Sequence, residues 1–191
     1  MYSDFYQRIG DLDNAHKNTQ LSYNIAENLN QELISFGAYV RMAESYYYRD
    51  QIDSTFYYLD KITTLTDQLG IPFMVLLSNY YSGRYSYYDG NHNKSITHFN
   101  FIIENIPPDF DLSMRVIPKA YNALNHHAIG QSEKSQGYIV LIQEELKEGS
   151  TFEEMEYYHV LVSAFLVNNR TDDAKQYILD AYDIIMEQSF K

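Results

Sequence analysis

Six histidines are the residues with the greatest capacity for chemistry in this chain, and "NHHAIG", with His126 and His127 adjacent, is the first place to look for a metal. Neighbouring helix residues point roughly 100° apart, so the pair cannot share one metal without a third ligand brought from elsewhere. They are expected to be ordinary polar positions before a turn. His92 and His98 are no better spaced, and His159 is expected to be an isolated hydrogen-bonding side chain rather than a catalytic base. The carboxylates of "QEELKEGSTFEEMEYY" gather at helix ends, where a charge run forms a solvated face. No glycine-rich phosphate loop, nucleophile elbow or paired-histidine zinc motif occurs in the sequence. The absence of cysteine removes thiol nucleophiles and thiolate ligands. No catalytic residue, cofactor or metal site is therefore expected. "NKS" at Asn93 and "NRT" at Asn169 match the glycosylation triplet, but both fall in predicted interhelical turns.

Tyrosine is the residue in excess: 20 among 191, five of them in "YYSGRYSYY" at positions 80 to 88. On a helix over 73–88 this segment sorts into two stripes. Val75, Asn79, Ser82, Gly83 and Ser86 make a narrow stripe suited to close approach of the helix at 92–105. The opposite arc holds Phe73, Leu77, Tyr80, Tyr81, Tyr85, Tyr87 and Tyr88 around Arg84. It spans roughly 160°, wider than the roughly 100° that a core-facing stripe requires. Part of it is expected to pack and part to be available to a ligand, and the sequence alone also allows all of these rings to pack.

The elements that must position these rings are repeated. Gly10, Asp50, Gly90, Gly130 and Asn169 are separated by 40, 40, 40 and 39 residues, and each tolerates the left-handed conformation that ends a helix. Five residues after each stands a small side chain: Ala15, Thr55, Ser95, Ser135 and Ala174. Further on, Thr19, Leu59, Phe99, Ile139 and Ile178, then Ser22, Ile62, Ile102, Ile142 and Ala181, continue one helical face. Seven residues before each turn come Ser3, Ala43, Gly83, Ala123 and Val162, mostly small enough to let two helices approach closely. The unit is a helical hairpin, and helices are expected near 1–9, 12–30, 32–49, 52–68, 72–88, 92–105, 113–128, 132–147, 151–168 and 171–188. Thr151 with Glu154 reads as a capping box, and Thr171-Asp172-Asp173 as a helix start. "NIPPDFD" reads as a loop. Pro118, which inside a helix removes a hydrogen bond, predicts a late start for its helix.

The pattern resembles the tetratricopeptide repeat (TPR), most closely in "SGRYSYYDGNHNKSITHFNFIIENIPP", where Gly83, Gly90, Ser95, Phe99 and Pro107 fall at that family's spacings. The period of about 40 exceeds the usual 34, which implies longer helices, as in the TPR-like regions of bacterial regulators. The resemblance implies an all-α, right-handed α-solenoid of five helix-turn-helix repeats, at about 1–30, 31–70, 71–110, 111–149 and 150–191, in a single domain. It also implies a concave groove lined by Leu77, Tyr80, Arg84, Tyr87 and Tyr88, extended by Tyr47 and Tyr48 on one side and by Tyr121, His127 and His159 on the other. Tyr81 and Tyr85 would turn toward the preceding repeat. Some family members hold chaperone termini with lysine, asparagine and arginine. The corresponding positions here are Val40, Glu44, Tyr80, Arg84, Ala120 and Leu124, so that clamp is missing.

A formal net charge of −12 disfavours nucleic acid, whose binding depends on neutralising phosphates. No stretch is apolar enough over about 20 residues to cross a bilayer. The compartment, cytoplasmic or periplasmic, stays open. The expected partner is a protein or peptide, and the expected role is the interaction or sensory region of a larger bacterial signalling or regulatory protein. A plain assembly scaffold or a peptide-pheromone-type receptor domain are the alternatives. A short first hairpin, and Ile178, Tyr182, Ile185 and Met186 without a polar capping helix, point to a segment of a longer chain or to self-association through exposed solenoid ends.

Overall fold

A computed structural model describes Ser3, Tyr6, Gln7 and residues 9–29, 31–146 and 155–189, with the side chains of 155, 156, 184, 185 and 187–189 outside the description. Among the described residues the regular structure is entirely helical. The helices are α1 (Leu12–Leu29), α2 (Glu32–Tyr47), α3 (Ile52–Leu69), α4 (Pro72–Tyr88), α5 (His92–Asn105), α6 (Leu112–Ala128), α7 (Ser132–Glu145), α8 (Met155–Val167) and α9 (Thr171–Ser189). The expected helix over 1–9 falls largely outside the described residues, and the Thr151/Glu154 capping box entirely so.

The repeat signal is a backbone signal. Gly10, Asp50, Gly90, Gly130 and Asn169 all have positive φ, between 57° and 77°. Gly70, which closes α3, joins them at 61°. Asp50 and Asn169 hold this conformation despite a Cβ, as the short polar side chains best tolerated there. After these turns the small residues Ala15, Thr55, Ser95, Ser135 and Ala174 are all buried.

Pro118 does not delay its helix. α6 begins at Leu112, where the Asp111 carboxylate caps the Ser113 and Met114 amides, and runs through the proline. The cap and the burial of α6 over-determine the helix, and the Lys119 ammonium donates to the Arg115 carbonyl at 2.9 Å, adding a donor within the turn that the ring disturbs.

The chain divides into two compact units, residues 1–82 and 83–191, the division falling inside α4. In the first, α2 packs between α1 and α3. Its interior is built from Ala15, Ala26, Met42, Ala43, Tyr58, Leu59 and Ile62. In the second, α6 is central and packs on α5, α7 and α8, while α9 packs on α8. Every residue from Val116 to His126 is buried, so α6 is enclosed on all sides. The predicted core face holds at Leu59, Phe99 and Ile139 and at Ile62, Ile102 and Ile142. It fails in α9, where Ile178 is 50% exposed and Tyr177 takes the inward place, stacked on Phe165 at 5.7 Å. The stripe there runs Ala174, Tyr177, Ala181, a spacing of three and four that is equally helical.

Candidate functional sites: two tyrosine clusters

In unit 83–191, the end of α4 and the middle of α6 bring several aromatic side chains together. Tyr121 is fully buried: its ring stacks on Phe99 at 4.7 Å and 6°, and meets Tyr87 edge-on at 5.2 Å. Its hydroxyl lies 3.2 Å from that of Tyr88. Tyr87 also meets Tyr88 and His92, and burial raises its phenol pKa. The Arg84 guanidinium lies 5.5 Å from the Tyr85 ring and 5.8 Å from that of Tyr88. Arg84, Tyr87 and Tyr88 are half-buried, whereas His127 and His159 are exposed.

Tyr121 is thus a core residue rather than a groove anchor, because the helix that carries it has no open face. Tyr80 is also corrected. Only 5% of it is exposed, since α4 buries Met74, Leu76, Ser78, Tyr80, Tyr85 and Ser86 over most of its circumference. Elsewhere in unit 1–82, Leu77 is half-buried, and the Tyr47 and Tyr48 rings meet edge-on at 5.8 Å with Tyr48 46% exposed.

A second cluster, in unit 1–82, was not anticipated from the sequence. Tyr57, Tyr58 and Lys61 share one face of α3, Tyr23 comes from α1, and Tyr39 comes from α2. The Lys61 ammonium lies over all four rings, at 5.0 Å from the centre of Tyr39, 5.4 Å from Tyr57, 5.5 Å from Tyr23 and 5.7 Å from Tyr58. It also donates to the Tyr23 hydroxyl at 3.2 Å, and the Tyr39 hydroxyl donates to Glu27 at 2.9 Å. Partial burial alone would pull the lysine pKa down. The bond to Tyr23 and the surrounding phenols more than reverse that, leaving it above the ordinary lysine value. Burial pushes Tyr58 up to about 12, and Tyr39 is raised for the same first reason. The ammonium set over four tyrosine rings is the geometry of cation–π attraction. Beside it opens a cavity of about 440 Å³, to which Tyr39, Tyr57, Asp60 and Lys61 all contribute.

Two further groups of polar side chains in the second unit join its helices. Asn125 donates to Ser95 and Asn168 to Ser135, each at 2.8 Å, while those serines donate to the carbonyls of Gly83 and Ala123 at 2.9 and 2.8 Å. This two-rung ladder satisfies buried groups between hairpins. Glu145 of α7 joins Arg115 and the buried Lys119 of α6, the latter at 2.8 Å. Desolvation pushes the Glu145 pKa up, but the two cations outweigh it and hold the carboxyl below its usual value. A depressed carboxyl pKa contributes stability above the unfolded-state value and loses it as pH falls through the folded one. Glu145→Gln should therefore cost about 2 kcal/mol at pH 7 by removing the carboxylate charge that faces Lys119 and Arg115. Denaturation midpoints of variant and wild type should converge as pH drops below about 4.

Among the described residues, no group of three or more His, Asp or Glu is placed to hold a metal ion, and no helix is long and apolar enough to cross a membrane. No protein-family model matches the chain, and no curated protein matches its sequence. Solved structures do match. The nearly identical TPR-like repeats of a kinesin light chain-like protein from Podosopora anserina align at a TM-score of 0.67 and 15% identity, covering 97% of this chain and 92% of that one. A second crystal structure of those repeats, carrying one glutamine-to-methionine substitution, aligns at 0.68 and 14%, covering 99% and 93%. The fold is a TPR-like, all-α helical-repeat solenoid.

Proposed function

We propose that the chain is a non-catalytic protein-interaction module that holds an extended peptide segment of a partner, using accessible tyrosines as anchors. The observation that carries this reading is the separation of the aromatic residues within a TPR-like fold. Tyr80, Tyr85 and Tyr121 are buried, while Tyr48 and Tyr57 are left 46% and 56% exposed. Rigid rings with a polar tip bury large area while losing few rotatable bonds, which suits them to recognition. The module is the interaction or sensory region of a bacterial signalling protein in this reading, which rests on the likeness of its repeat period to such regions. Selection from a random peptide library on the immobilised chain tests it. Enrichment of related sequences with saturable 1:1 binding is the expected result, and no enrichment over a scrambled pool would overturn the reading.

Exposed apolar stripes favour a second role, assembly with another copy. Leu21, Ile25 and Leu29 line α1 at intervals of four, as do Ile178, Tyr182 and Met186 on α9, and all six are exposed. Sedimentation equilibrium should show mass rising with concentration, and Ile178→Glu with Tyr182→Glu should return the chain to monomer. A concentration-independent monomer contradicts this second role.

A further inference from the structure

The cage around Lys61 has four walls and an open side. Its rings come from α1, α2 and α3, and Tyr39, Tyr57 and Lys61 also line the cavity of about 440 Å³, within the range of about 300–1,000 Å³ typical of ligand pockets. We propose that this cavity binds an aromatic side chain of the partner peptide, which closes the cage as a fifth ring over Lys61. The proposal rests on the interaction-module reading and names the ligand chemistry of one of its sites.

Charge selects the class of ligand. Asp60 and Lys61 cancel within the lining, and Glu27, bonded to Tyr39, adds a negative charge at the edge. A free carboxylate is therefore disfavoured, and a ligand cation would meet the resident ammonium. A neutral ring avoids both conflicts. Its face adds to the attraction on Lys61, its edge contacts the 56%-exposed Tyr57 and half-buried Tyr39, and a phenolic hydroxyl has Asp60, Thr64 or Gln68 at the rim as partners. Leu65 supplies apolar contact.

The probe is N-acetyl-tyrosinamide, followed by NMR on the ε-methylene protons of Lys61 and the ring protons of Tyr57, with N-acetyl-cyclohexylalaninamide as a control of similar size without a π face. The tyrosine probe should give a saturable upfield shift at Lys61 and bind about three- to fivefold more tightly than the control, the factor one exposed cation–π contact supplies. Lys61→Met, which keeps the apolar stem, should erase that preference, with circular dichroism confirming that the variant remains folded. Equal affinity for both probes, a preference that survives Lys61→Met, or a tighter response to acetate or tetramethylammonium would overturn the assignment. A library-selected peptide that binds without shifting Lys61 overturns it while leaving the interaction module standing. Saturable tyrosinamide binding in a chain that selects no peptide supports the pocket and overturns the module.

Discussion

Gly83→Leu should leave unit 83–191 unable to fold. A Cβ built at Gly83 lies 3.0 Å from two ring carbons of Phe99 and 3.2 Å from the His98 Cβ. Phe99 cannot turn away, because it is fully buried and stacked on Tyr121. Alanine there would regain about 1 kcal/mol of helix propensity against an overpacking cost of about 1–3, so Gly83→Ala should lose at most about 2 kcal/mol. Leucine adds three further carbons along the same direction and should cost more than about 4 kcal/mol. Urea denaturation followed by tyrosine fluorescence and circular dichroism distinguishes the two variants.

Tyr121→Ala should cost about 3–5 kcal/mol, the usual penalty for deleting a fully buried aromatic ring. It removes the partner of Phe99 and the edge contact of Tyr87, and leaves the Tyr88 hydroxyl without its neighbour at 3.2 Å. Tyr121→Phe keeps both ring contacts and gives up only the hydroxyl, so it should lose about 1 kcal/mol. The melting temperatures of the pair therefore distinguish a core tyrosine from a ligand anchor, for which both substitutions would leave stability unchanged.

The repeat was legible because its punctuation is a backbone requirement. Only glycine, or a short polar residue such as Asp50 and Asn169, settles at positive φ, so the turns left a spacing that composition could not blur. Gly83 was legible for a related reason, since close helix approach leaves little room for a side chain there. The exposed faces were not. A helical wheel ranks residues around an axis but cannot say how many neighbours that axis has. Tyr80 and Tyr121, expected on a concave face, sit on helices buried over more than one side. Pro118 misled similarly, because the Asp111 cap and the enclosure of α6 outweigh one lost hydrogen bond. The Lys61 cage left only a local trace, Tyr57, Tyr58 and Lys61 on one face of α3, because Tyr23 and Tyr39 join it through folding. The same spacing of 38 recurs where Tyr138 donates to Asn100, as it does between Tyr23 and Lys61.

Anchoring by exposed rather than buried tyrosines is tested by the affinity of a library-selected peptide for the wild type and for Tyr48→Ser combined with Tyr57→Ser. Each buried anchor contributes about 1.5–3 kcal/mol before ordering costs, so the double variant should bind at least tenfold more weakly. Its melting temperature should fall far less than that of Tyr121→Ala, because Tyr48 and Tyr57 are each about half exposed. Undiminished peptide affinity in the double variant would contradict the account.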